Sequence, residues 1–406
     1  MTTPSKPAAT APAKVALVGV HGFGAHHLGN LRRLQAASAV ELVAVADPNP
    51  PAPGEVPETA AVFGSLDELL PAVPGLDVVI VSTPIQTHAP LGLAALASGA
   101  DLYLEKPPVA SLADYHRLQD AAAASGQAVQ IGFQSMGSHA LAAIENLLAD
   151  GRIGELTGIG ATGKWVRDRA YYKRSRWAGK RTIDGVDVVD GVATNPLAHA
   201  VATALRIAGA RTTADVASVE TELFRANDIE SDDTSVIRIR TVTGLPVTCA
   251  LTLCMAEPVE PYVTLQGSRG TAVLHYTQDR LVVTVDGTSV EEKYGRDDLT
   301  ENLLTHRRNG TPLLSSLADS GAFMLVLEAI RTAPLPAPID PQYVQWLGEG
   351  DAAHAVVTGI EDAVERATAT HSTFSELGLP WAAGVSPVRL PSGTVPGTHR
   401  SGAPLP

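Results

Sequence analysis

Cysteine is nearly absent: Cys249 and Cys254 are the two in 406 residues. Both fall in one predicted strand, residues 246–254, five positions apart. An odd separation puts them on opposite faces, about 16 Å apart along the strand, so they cannot pair within it. They read as small buried hydrophobes rather than a redox or metal pair, and no metal site is expected. Basic residues are also in deficit, 30 Lys and Arg against 43 Asp and Glu, for a net charge of −13. A nucleic-acid or anionic-membrane binder needs the opposite excess, so neither partner is expected. No apolar run approaches the ~20 residues that span a bilayer. Residues 1–13 hold one lysine and lack the apolar core of a secretory signal. They read as a disordered tail, as do residues 386–406. The expected compartment is the cytoplasm.

What the chain does carry is a pair of motifs in its first part. Val15-Ala16-Leu17-Val18-Gly19-Val20-His21-Gly22-Phe23-Gly24 reads as a strand entering a glycine turn that cradles a pyrophosphate. Gly22, Phe23 and Gly24 are the expected cofactor contacts there. In this reading position 27 is that of the third glycine, and it holds His27. Either the helix stands further from the strand, or His27 faces the cofactor. Asp47 follows a second apolar strand, 23 residues past Gly24. That spacing suits an acceptor for the adenosine ribose hydroxyls, and a carboxylate there repels a 2′-phosphate, so NAD is favoured over NADP. Asp47 also suits a plain turn before Pro48. The second motif, Asp101-Leu102-Tyr103-Leu104-Glu105-Lys106-Pro107-Pro108, reads as a short strand delivering a lysine to the end of the same sheet.

From residue 14 to 134 strand and helix alternate. Apolar strands are expected at 15–20, 40–46, 78–81, 102–104 and 128–133, and helices at 90–98 and 112–125. Short apolar runs without polar alternation suit strands buried on both faces, and the alternation implies a doubly wound parallel sheet, a Rossmann domain. After Gly151-Arg152-Ile153-Gly154 strands follow one another: 156–164, 216–224, 235–242, 246–254, 262–266, 272–276 and 281–285. This predicts a largely antiparallel open sheet in a second, α+β domain over 135–385. Helices resume at 299–308, 321–331 and 352–367. If helices cover one face of that sheet and the other is apolar, a partner must cover it, so a homo-oligomer, dimer or tetramer, is expected.

With Ser82-Thr83-Pro84-Ile85-Gln86-Thr87-His88, Glu105-Lys106-Pro107 and Gly151-Arg152-Ile153-Gly154-Glu155, the chain resembles the Gfo/Idh/MocA family of glucose-fructose oxidoreductase and inositol dehydrogenase. The resemblance covers roughly residues 14–331. It implies an N-terminal Rossmann domain, a C-terminal mostly antiparallel sheet, and NAD(P)-dependent chemistry at a hydroxyl of a sugar or cyclitol. It adds Thr83, Pro84, His88, Glu105 and Lys106 to the expected cofactor-binding residues. Lys106 is also the expected catalytic cation: a fixed ammonium stabilises the alkoxide that develops as hydride leaves a secondary alcohol. Without the motif it would be a surface lysine.

The family also supplies Asp-x-x-x-His on a helix, and the match here is Asn195-Pro196-Leu197-Ala198-His199. The spacing would put Asn195 and His199 on one helical face. His199 is the expected proton acceptor. Asn195 cannot titrate; it either contacts substrate or serves as N-cap before Pro196. Asp187 and Asp190 lie nearby as candidates to replace the missing aspartate. The run from Lys164 to Trp177 concentrates arginine and aromatics in an acidic, aromatic-poor chain. Rings stack on sugars and arginines pair with carboxylates or phosphates, so Arg167, Arg174 and Trp177 are expected at the substrate; an oligomer interface would have the same composition. Three functions fit: an NAD-dependent dehydrogenase or reductase of a carbohydrate-like substrate, an NAD-retaining enzyme that uses transient oxidation for glycosidic cleavage, elimination or epimerisation, and a non-catalytic NAD-binding regulator.

Overall fold

A computed structural model describes residues 11–390. Residues 1–10 and 391–406 lie outside the described residues, and with them most of both expected tails. The first sheet holds β1 (Ala13–Val18), β2 (Val40–Ala46), β3 (Ala61–Phe63), β4 (Val78–Val81), β5 (Asp101–Leu104) and β6 (Val129–Ile131). All pairs are parallel and the order is β3-β2-β1-β4-β5-β6, with the chain crossing over after β3. Helices α1 (Gly24–Ala36), α2 (Leu66–Ala72), α3 (His88–Ala97) and α4 (Leu112–Ser125) connect the strands. This is the doubly wound order of a dinucleotide-binding fold. β4 and β5 are buried at every residue, as an apolar run without alternation requires. Local chemistry sets the helix ends. Ser111 caps α4 by accepting from the Asp114 amide at 3.1 Å, and Gly126 ends it in the left-handed region at φ 70°.

The chain goes on through α5 (Ala140–Ala149), β7 (Leu156–Val166), α6 (Arg169–Lys173), a short hairpin of β8 (Thr182–Ile183) and β9 (Val186–Asp187), and α7 (Ala198–Ile207). Then come β10 (Val216–Arg225), β11 (Thr234–Thr241), β12 (Pro246–Thr252), β13 (Cys254–Gly267), β14 (Gly270–His275), β15 (Arg280–Val285) and β16 (Thr288–Lys293). Helices α8 (Leu299–Asn309) and α9 (Gly321–Thr332) precede β17 (Ala337–Pro338), β18 (Val344–Leu347), β19 (His354–Val357), α10 (Ile360–Thr370) and β20 (Val388–Leu390). The second sheet has ten strands, in the order β16-β15-β14-β13-β7-β12-β11-β10-β17, with β20 also on β10. Only the β7–β12 and β10–β17 pairs in it are parallel.

The chain divides into two compact units. One holds the residues up to His139 together with Thr182–Val188 and Gly295–Met324; the other holds the rest. The return of Gly295–Met324 to the first unit is invisible to local periodicity. Its cause is packing: Leu299, Leu303 and Leu304 of α8 are buried in one core with Leu28, Leu31 and Leu34 of α1 and with Val15, Leu17, Val78 and Ile80. Burying a leucine contributes about 1.5–3 kcal/mol. The second unit has its own core, in which Phe224, Phe374 and Trp381 meet edge to face, Trp381 lying 5.2 Å and 5.0 Å from the other two.

Several expectations are corrected. Cys249 and Cys254 sit on successive strands, since the ladder breaks at Leu253 and Cys254 opens β13. Both are buried free thiols, and burial pushes Cys249 up to about 12. β13, with 14 residues, is nearly three times the expected length; Pro258 and Pro261 remove ladder donors, and the register shifts around them. Residues 354–357, expected as helix, form β19. Val388–Leu390 pairs with β10 although a tail was expected from 386. The middle of the second sheet is covered on two faces. Thr162 Oγ1 of β7 meets Thr368 Oγ1 of α10 at 3.1 Å, while a Cβ on Gly163, on the opposite face, would press on Leu197 beside α7.

Candidate functional site

In the first unit, the turn after β1 shows which glycines matter. Gly19 has φ 85°, and a Cβ there would lie 2.8 Å from the carbonyl carbon of Ser82. Gly24 opens α1, and a Cβ there would lie 2.8 Å from the carbonyl carbon of Gly19. Gly22 has φ 58° with open space around it. The close approaches therefore fall at positions 19 and 24, and the frame reads Gly19-x-His21-x-x-Gly24. The side chain that replaces a glycine is His21, not His27. His27 lies one turn into α1 and is buried. Its Nε2 donates to Glu105 Oε1 at 2.9 Å, and its ring meets Tyr103 edge-on at 5.1 Å. Its ring packs between Glu105 and Tyr103 and also borders a cavity.

The turn has the features of a dinucleotide cradle. No side chain caps α1 and its first turn holds no acidic residue, so its leading N–H groups and positive dipole end suit a phosphate. Phe23, exposed, stands at the head of the helix. Asp47, directly after β2, is buried. Its two carboxylate oxygens accept from Val20 N at 3.0 Å and Asn49 N at 2.9 Å, which ties it to the glycine turn. Each oxygen keeps a lone pair for a ribose hydroxyl. His21 Nε2 donates to Asn49 O at 2.9 Å across the same corner. Thr83 and Pro84 follow β4, and Gln86 Oε1 beside them is a buried acceptor with no hydrogen-bond donor among the described residues. These residues fit an NAD molecule.

Two of the expected cofactor contacts also hold the neighbouring loops. The His88 ring is buried, with Nε2 at 2.8 Å from Thr83 O and Nδ1 at 3.0 Å from Pro107 O. It staples the loop after β4 to the loop after β5. Burial lowers its pKa against the pull of those carbonyls. Glu105 is likewise buried, its carboxylate accepting from His27, from Gln134 Nε2 at 3.3 Å and from Lys106 N at 3.2 Å. It holds the turn that carries Lys106. Lys106 itself is half-buried, directly past β5 at the C-terminal end of the parallel strands. A cavity of about 280 Å³ adjoins the His27–Glu105 pair, lined by Phe23, His26, Asn30, Tyr103 and Gln134 among others.

In the second unit, α7 begins at Ala198, so Asn195 precedes the helix and Leu197 stands at the cap position. The expected N-cap role and shared helical face of Asn195 are therefore corrected. Residues 191–197 form a tight turn instead: Asn195 N donates to Gly191 O at 3.1 Å, Leu197 N to Val192 O at 2.9 Å, and Gly191 N to Thr194 Oγ1 at 3.0 Å. His199 sits half-buried in the first turn of α7. Asn195 Nδ2 donates to Asp190 Oδ1 at 2.6 Å, a contact that the sequence did not reveal.

The aromatic-basic segment converges on one ring. The guanidinium of Arg174 lies 3.5 Å from the Tyr171 centroid and that of Arg167 lies 4.7 Å from it. Trp165 and Trp177 flank them, 4.8 Å from Arg167 and 4.6 Å from Arg174. Arg167 Nε is buried without a hydrogen-bond partner among the described residues. The Asp190 carboxylate lies 3.7 Å from Arg174 Nη2. Arg167, Arg174, Trp177 and Asn195 are thus linked through Tyr171 and Asp190 in one cluster.

Residues 13–133 match the family described as "Oxidoreductase family, NAD-binding Rossmann fold". The chain is similar to inositol 2-dehydrogenase of Streptomyces avermitilis, 34% identical over 146 residues, covering 34% of this chain and 42% of that protein. It is also similar to scyllo-inositol 2-dehydrogenase (NAD(+)) of Bacillus subtilis, 29% identical over 148 residues, 35% of this chain and 42% of that protein. The chain thus matches less than half the length of either relative. The WlbA dehydrogenase from Bordetella pertussis, solved in complex with NADH and UDP-GlcNAcA, has a TM-score of 0.64 at 22% identity, over 79% of this chain and 95% of that one. That likeness is one of fold. Over residues 13–133, then, the chain is similar to the Gfo/Idh/MocA oxidoreductase family.

Proposed function

We propose that the protein is an NAD-dependent oxidoreductase acting on a secondary alcohol or ketone of a sugar, sugar acid or cyclitol. The carrying observation is Lys106, held by the buried Glu105 turn at the C-terminal end of the parallel strands, where open α/β sheets bind their ligands. The inositol dehydrogenase relatives point to the same substrate class. Gly19, Gly22, Phe23, Gly24 and the N-terminus of α1 would hold the pyrophosphate, Asp47 the ribose, and Thr83, Pro84 and Lys106 the nicotinamide end. When bound, NAD supplies the hydride acceptor.

The chain's own residues do the rest. Lys106 donates to the substrate oxygen and stabilises the negative charge that grows on it as the C–H bond breaks. His199 accepts the hydroxyl proton in oxidation and returns it in reduction. Asn195 orients the sugar through its amide. Trp177 offers a stacking face, and Arg167 and Arg174 favour a substrate bearing a carboxylate or phosphate. The Bordetella fold neighbour binds UDP-GlcNAcA, which agrees with that preference. We also place the protein in the cytoplasm as a homo-oligomer; β16, an edge strand exposed at all six residues, supports assembly.

The test is full-chain protein with NAD and a panel of myo-inositol, scyllo-inositol, glucose and glucuronate, followed by NADH absorbance. Light scattering on the same sample reads the assembly. Steady NADH accumulation with one or more members is expected. A single equivalent of NADH that is then reoxidised would favour the NAD-retaining alternative. Absence of NAD binding by calorimetry would refute the proposal.

A further inference from the structure

We propose that Asp190 is a positioning residue that fixes the Asn195 amide and presents its carbonyl as the acceptor for a substrate hydroxyl. The inference rests on the reading of Asn195 as a substrate contact. An asparagine amide is two-faced: rotation by half a turn exchanges donor for acceptor. A carboxylate only accepts, so Asp190 Oδ1, 2.6 Å from Asn195 Nδ2, selects one orientation. With Nδ2 committed to Asp190, planarity turns Oδ1 to the opposite side. As the carbinol carbon gives up hydride and its oxygen gives up a proton, the neighbouring hydroxyls must be held by an acceptor, and this orientation supplies one.

Asp190 is itself held. It is buried, with 6% of its surface exposed. Its Oδ2 accepts from Gly179 N at 2.7 Å and lies 3.7 Å from Arg174 Nη2. Its own N–H donates to Lys180 O at 2.9 Å. The preceding residue, Val189, has φ 53°, a conformation that a β-branched residue adopts only under constraint. Thr194 Oγ1 donates to Val189 O and fixes that turn. The chain thus bears a local strain that aims a carboxylate inward at the Asn195 side chain. The same carboxylate touches Arg174 of the aromatic-basic cluster, so it links the groups proposed to bind an anionic substituent with the group proposed to orient the hydroxyls.

The test compares Asp190→Asn, Asn195→Ala and the swapped double variant Asp190→Asn/Asn195→Asp in full-chain protein. In NMR spectra, the Asn195 side-chain amide, assigned by its loss in Asn195→Ala, should exchange slowly with solvent. It should shift on Asp190→Asn; an amide unmoved by that change overturns the proposal. In kinetics with myo-inositol or glucuronate, Asp190→Asn should lower kcat by about tenfold to a hundredfold, the usual cost of removing a group that orients a functional side chain. Calorimetric NAD affinity should not change. The swap restores one donor and one acceptor and should recover most of the lost kcat; no recovery in a folded double variant overturns the positioning role. Loss in Asn195→Ala without loss in Asp190→Asn overturns that role alone. No loss in either overturns the reading of Asn195 as a substrate contact, and this inference with it.

Discussion

Alanine in place of Gly24 tests the frame of the glycine turn. The new Cβ would lie 2.8 Å from the Gly19 carbonyl carbon. The carbonyl oxygen of Gly19 would be closer still, and carbon packs no nearer than about 3.2–3.5 Å to such atoms, so the head of α1 and the β1 turn must separate by about 1 Å. Both partners are backbone, so no side-chain rotation relieves the contact. Overpacking of this kind costs about 1–3 kcal/mol. For a unit of this size each kcal/mol lowers Tm by about 2–4 °C, so a loss of several degrees is expected. The same displacement carries the helix N–H groups away from the pyrophosphate position, so NAD binding should weaken. Gly22→Ala is the control: nothing lies within 4 Å of its Cβ, and only the φ of 58° opposes it, at about 1–2 kcal/mol. Differential scanning calorimetry and NAD titration of the two variants decide the matter. If Gly24→Ala leaves Tm and NAD affinity unchanged while Gly22→Ala damages both, the frame argued from the structure is wrong.

Lys106→Ala and His199→Ala should each slow turnover by about 10²–10⁴, with calorimetric NAD affinity nearly intact; near-wild-type turnover of both would remove them from the chemistry. Asp47→Ser should narrow the preference for NAD over NADP, as read by paired titrations, and tighter wild-type binding of NADP would overturn the preference itself. His88 has its folded pKa lowered by burial, so the stability it contributes is complete above its unfolded value near 6.5 and is lost as pH falls through the folded value. In urea titrations below about pH 6.5, His88→Asn should therefore lose stability less steeply than wild type; parallel slopes would refute the assignment. Arg174→Ala should raise KM more for glucuronate than for glucose, since a charge-assisted bond of about 1.5–3 kcal/mol is lost with the charged sugar alone. Equal losses would leave the arginine as scaffold.

The parallel sheet was legible because its strands are short, apolar and separated by helices with plain end signals: 112–125 was bounded by Ser111 and Gly126, which act as its caps. What escaped was non-local or masked. β16 is polar at both faces and β13 is interrupted by prolines, so neither shows period-two alternation. The glycine turn was read three residues out of frame, because Gly22-x-Gly24 imitates the motif while the real constraint is the contact between Gly24 and Gly19. Lys106 and His199 stood out only with their neighbouring motif residues. Glu105 and His88 were named for the cofactor; that they also brace the loops after β4 and β5 is visible only from their hydrogen-bond partners. Asp190 was one of two nearby acids, and no spacing rule distinguishes it from Asp187; only a distance does.

The split of the first unit along the chain has a consequence for synthesis. Its N-terminal stretch ends at His139, but Leu299, Leu303 and Leu304 of α8 complete the core around Leu28 and Leu31. A ribosome that has made residue 139 must add 165 more before residue 304 emerges from its active site. At about 5–20 residues per second that is roughly 8–33 s, during which the part of the core that α8 closes over α1 stays open. A nascent chain in that interval is a natural client for a holding chaperone, and a fragment cut near 139 should stay one.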